Sequence, residues 1–70
     1  MNIEEAIKKF RPIVGDPASL RIRDEYTELQ KLCGALERPM TEARRAMLTE
    51  SRESKKRYIV SLIEEQLSPQ

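Results

Sequence analysis

The sequence predicts an all-α fold: a small bundle of three helices, or four if the C-terminal helix breaks near residues 49–51. Three observations carry this. Prolines at 12, 17 and 39 cut the chain into pieces, because proline cannot donate within a helix interior and restricts the residue before it. Within the pieces, apolar residues recur at spacings of three and four, the helical period. Each piece also begins at a residue suited to capping, namely Asn2, Asp16 and Thr41.

The first helix is short. Asn2 followed three residues later by Glu5 makes a capping-box pattern. Ile3, Ala6, Ile7 and Phe10 form one apolar face, and Lys8, Lys9 and Arg11 lie near the end, where cations suit the helix dipole. Pro12 closes it. Ile13 and Val14, apolar in a connecting loop, are expected to plug a gap in the core.

The second helix opens at Gly15-Asp16-Pro17, an N-cap followed by the favoured first helical residue. Ala18, Ile22, Tyr26, Leu29, Leu32, Cys33 and Leu36 fall within about a third of the wheel. Leu20 points away from that face, toward the first helix or a partner. Gly34 either ends the helix or weakens it, and Glu37-Arg38-Pro39 ends it in any case.

The third piece runs from Thr41 to about Leu67. Met40, Ala43, Met47, Ser51, Ser54, Tyr58 and Leu62 make one stripe, with small residues in its middle that let another helix approach. The heavier apolar face is Tyr58, Ile59, Leu62, Ile63 and Leu67. On an unbroken helix, Arg45, Arg52, Lys55 and Lys56 share an azimuth with Ile59 and Ile63. Four cations and a core seam conflict on one buried stripe. Either the helix breaks near residues 49–51, with Thr49 or Ser51 recapping it, or its middle stands clear of the bundle; the break is the favoured expectation.

Seventy residues allow one helical domain, spanning residues 1–70. Area bookkeeping at this size comes out near zero net stability, so self-association is expected, with a homodimer through the C-terminal apolar face. Thirteen Lys+Arg against twelve Asp+Glu leave a charge of +1, which excludes a polybasic tail and an acidic mimic of nucleic acid. The chain has no His and one Cys. It therefore lacks the usual base, the usual metal ligand and any internal disulfide, and Cys33 reads as a small core residue. Neighbouring acids such as Glu4-Glu5 and Glu64-Glu65 diverge on a helix. No catalytic residue, cofactor, metal or small-molecule substrate is expected. The acidic amino-terminal stretch has no signal-peptide run, Leu67-Ser68-Pro69-Gln70 has no Cys for prenylation, and no segment is long and apolar enough to span a bilayer. A cytoplasmic protein that binds no membrane is expected.

Two surfaces carry functional content. The first is apolar, with Leu20, Tyr58, Ile59, Leu62 and Ile63 as anchors for another protein. The second is basic: residues 41–57 hold six cations and three Glu, a local +3, with Arg44, Arg45, Arg52, Lys55 and Lys56 on one side. The leading expectation is a non-enzymatic protein-interaction module, a regulator, adaptor or assembly factor. The alternative is a DNA-binding regulator with a helix-turn-helix-like arrangement. Thr41–Leu48 would be its recognition helix, with Arg44 and Arg45 near the bases and Arg52, Lys55 and Lys56 along the backbone.

Overall fold

The computed structural model describes residues 2–68; Pro69 and Gln70, where no prenylation Cys is expected, lie outside them. Three helices, α1 (Ile3–Lys9), α2 (Pro17–Leu36) and α3 (Glu42–Leu67), make the described residues 79% helical with no strand, a small all-α bundle. All three expected caps form. The Asn2 side chain accepts from the Glu5 N–H at 2.8 Å, Asp16 from Ser19 at 3.0 Å and Thr41 from Arg44 at 3.2 Å. Each satisfies one of the donors left over at a helix start.

α2 meets α3 along a seam. Ser19, Ile22, Tyr26, Leu29, Cys33 and Leu36 follow one another at three, four, three, four and three residues, and all are buried or half-buried. That alternation is the seam period of paired helices. The partners on α3 ascend as those on α2 descend: Tyr58 opposite Arg21, Lys55 opposite Glu25, Arg45 opposite Leu36. The two helices therefore run side by side and antiparallel along the whole of α2.

α3 does not break at residues 49–51; it is one helix of 26 residues. It contains no Pro or Gly, and the conflict foreseen on its stripe is resolved by α2. Lys55 Nζ meets the Glu25 carboxylate at 2.8 Å, and Arg45 donates to the Leu36 carbonyl at 2.9 Å. Only the last part of the stripe is a true core, where Ile59 and Ile63 are completely buried. The stripe changes from polar to apolar along the helix.

α1 packs against the C-terminal half of α3, joining Ala6 to a cluster of Ile22, Leu29, Ile59 and Ile63. Among the described residues no third helix covers the other half of the hairpin. The molecule measures 45 × 23 × 16 Å with a radius of gyration of 13.7 Å, against about 11 Å for a compact chain of this length. Its surface of 5538 Å² exceeds the roughly 4,500 Å² of a compact monomer of this mass. The excess is the signature of a long hairpin thickened at one end.

Candidate protein-binding groove

The α1–α2 connection also departs from the sequence expectation. Ile13 and Val14 do not plug the core: Ile13 is 63% exposed and Val14 fully exposed. The reason is a tight turn. The Asp16 N–H donates to the Ile13 carbonyl at 3.1 Å, with Gly15 between them at φ +81°. That left-handed value suits the third residue of a type II turn, where glycine incurs no side-chain clash.

Buried Ser19 then pins the turn to α2. Its Oγ accepts from the Ile13 N–H at 3.0 Å and donates to the Asp16 carboxylate at 3.2 Å, which also accepts from the Ser19 N–H. Val14 is thus held outward by a hydrogen-bonded turn.

Beside this turn lies an open groove of ≈ 440 Å³. Its walls include Phe10, Ile13, Val14, Leu20, Ile22 and Tyr26, and its only charged wall residue is Arg23. Leu20 is 42% exposed, so the one α2 residue that pointed off its helix's apolar face forms part of the groove. A larger cleft of ≈ 690 Å³ between α1 and α3 is of another kind, walled by Glu4, Glu53, Lys56, Arg57 and Glu64. Lys56 and Glu53 there already pair at 3.6 Å.

The other expected anchors fare differently. Ile59 and Ile63 are completely buried in the chain's own core and present no surface to a partner. Leu62 is half-buried against that core. Tyr58 is 39% exposed, and its Oη accepts from Arg21 at 2.7 and 3.0 Å beneath a guanidinium 5.8 Å from the ring centre. The face expected to mediate a homodimer is therefore largely an intramolecular one.

The basic stripe is largely engaged within the fold. Lys55 pairs with Glu25, and Arg52 and Lys56 both reach Glu53, at 3.3 and 3.6 Å. Arg45 reaches the Leu36 and Arg38 carbonyls. Arg44 alone of the five cations has no side-chain hydrogen bond or ion pair among the described residues.

Arg23, in the groove wall, makes no ion pair among the described residues.

Half-buried Cys33 packs against the core. Among the described residues no cluster of three or more metal-capable side chains forms, and no helix is long and apolar enough to cross a membrane. The class that fold and site define is a small all-α protein with an apolar groove at one end. The chain matches no family model, no curated protein and no solved structure.

Proposed function

We propose that the protein is a non-enzymatic interaction module of the cytoplasm that binds another protein through the groove between α1 and α2. The observation that carries this reading is the pinned turn that holds Val14 and Ile13 in solvent beside Leu20. Water-exposed apolar groups gain free energy when covered, about 25 cal/mol per Å² removed from water. A chain with few fully buried side chains would gain by sinking them inward, yet its hydrogen bonds hold them out.

The test is site-specific photo-crosslinking in cells, with the reactive side chain placed at Val14, at Leu20 and, as a control, at Met47. Discrete adducts to one other protein from positions 14 and 20 but not 47 are expected. Equal labelling from all three positions, or none, overturns the reading. The DNA-binding alternative draws less support, because Arg45, Lys55 and Lys56 already have partners. Anisotropy of a labelled duplex across a salt series tests it: steep, salt-sensitive binding would move the function to nucleic acid.

A further inference from the structure

Apart from the groove, we infer that the outer face of α3 pairs with the same face of a second copy of this chain, the two α3 helices lying antiparallel. The face is the stripe Ala43, Met47, Ser51, Ser54, Tyr58 and Leu62. The first five are exposed, Met47 by 71%, and Leu62 is half-buried. Nine of the 17 residues from Thr41 to Arg57 are charged, yet the stripe carries no charge. A helix face left to water ordinarily holds the charges.

The spacing matches a two-fold axis. The six residues follow one another at four, four, three, four and four, an order that is the same from either end. Met47 and Tyr58 are therefore equally far from the midpoint between Ser51 and Ser54, and so are Ala43 and Leu62. A two-fold axis at that midpoint sets each residue against its counterpart on an antiparallel copy. Ser51 meets Ser54 at the crossing, Met47 meets Tyr58, and Ala43 meets Leu62. Small side chains at the centre let the helices approach, and a thioether beside an aromatic ring is a favourable contact. A helix from another protein places no such demand on the spacing.

The flanking charges agree with this register. Glu50 and Arg57 lie seven residues apart on one flank, and neither makes an ion pair among the described residues. Arg57 lines the α1–α3 cleft, but Glu4, Glu53 and Glu64 there do not pair with it. In the antiparallel pair, Glu50 stands about 3 Å along the axis from Arg57 of the second copy, and the dimer gains two such pairs. Glu53 on that side is already held by Arg52 and Lys56. On the other flank Arg44 falls opposite Ser61. A parallel pair would instead set Glu50 beside Lys55 of the second copy, a cation that Glu25 already holds.

The surface suffices. Every residue from Thr41 to Met47 is exposed. The chain's 5538 Å² exceeds a compact monomer's surface by about 1,000 Å², against the roughly 800 Å² that each partner of a standard interface covers. Antiparallel pairing lays the bare end of each hairpin beside the thickened end of the other.

The experiment is sedimentation equilibrium of the full chain from micromolar to submillimolar concentration. A reversible dimer is expected. Met47→Lys, on an exposed side chain, should weaken it at least about tenfold with helical circular dichroism unchanged. Glu50→Arg and Arg57→Glu should each weaken it, and the double variant should restore it, because both cross-pairs are then reversed. In the crosslinking test above, Met47 would give only a self-adduct of twice the chain's mass.

A monomer at all concentrations overturns the inference. So does a dimer indifferent to Met47→Lys, or a double variant no tighter than either single one. Self-association lost on Val14→Asp instead would place the second copy in the groove and overturn this face as well as the groove's separate protein partner.

Discussion

Arg45, in the first turn of α3, donates to the carbonyl of Leu36 at 2.9 Å and so closes the C-terminal end of α2. Its second nitrogen leans toward the Arg38 carbonyl at 3.4 Å. A helix end leaves carbonyls without partners and carries partial negative charge, and a guanidinium answers both needs. Arg45→Ala is expected to lower unfolding free energy by about 1 kcal/mol in urea titration, the usual size for such a bond at a solvated position. Arg44→Ala, one residue away with no such bond, should change the midpoint much less. Equal effects would mean the Arg45 contact contributes nothing.

Lys55 and Glu25 test how the hairpin tolerates charge at its seam. Their side chains are 28% and 23% exposed, enough water to keep desolvation moderate. A double-mutant cycle with Lys55→Met and Glu25→Gln should give a coupling of roughly 0.5–1 kcal/mol that shrinks with salt. A coupling near zero at low salt would remove the pair from the account of why α3 stays unbroken.

Ile63→Ala should cost about 2–5 kcal/mol, because it opens a cavity where no water enters. Whole-domain stability at this length is of order 3–10 kcal/mol, so thermal unfolding should move far or vanish. Val14→Asp, on a fully exposed side chain, should leave the thermal midpoint unchanged. A reversed order would mean that the core lies elsewhere.

The two glycines predict opposite signs. A methyl group added at Gly15 or at Gly34 meets no atom within 4 Å, so space is not the issue at either. Gly34 is helical, and Gly34→Ala should stabilise by about 0.5–1 kcal/mol. Gly15 sits at φ +81°, and Gly15→Ala should destabilise by roughly 1–2 kcal/mol. Chemical denaturation of both variants under the same buffer decides it.

Ser19→Ala releases the turn that carries Val14. The Ile13 amide should exchange with solvent much faster by NMR, while amides in the middle of α2 and α3 keep their protection. Unchanged exchange at Ile13 would mean that the turn holds without Ser19.

Much of the fold was legible in sequence because the signals were local. The caps at Asn2, Asp16 and Thr41 need only a side chain and a backbone N–H three residues on. The face of α2 from Ile22 to Leu36 needs only the helical period. The break expected in α3 failed for lack of non-local information: Lys55 is 30 residues from its partner carboxylate, and no window along α3 contains it. The groove was missed similarly. Two apolar residues in a loop look like core filling until Ser19, six residues beyond Ile13, is seen to tie the turn to a helix.

Sequence by itself determined where each of the three helices starts and where α1 and α2 stop, since proline, caps and periodicity act within one or two turns, but not that α3 runs unbroken. Only the tertiary structure decided which polar groups are engaged and which apolar groups face water. Burial and charge neutralisation depend on what the neighbouring helix presents. Lys55 and Arg45 of α3 meet a carboxylate and a carbonyl of α2 there, whereas Val14 and Leu20 beside the α1–α2 turn face water.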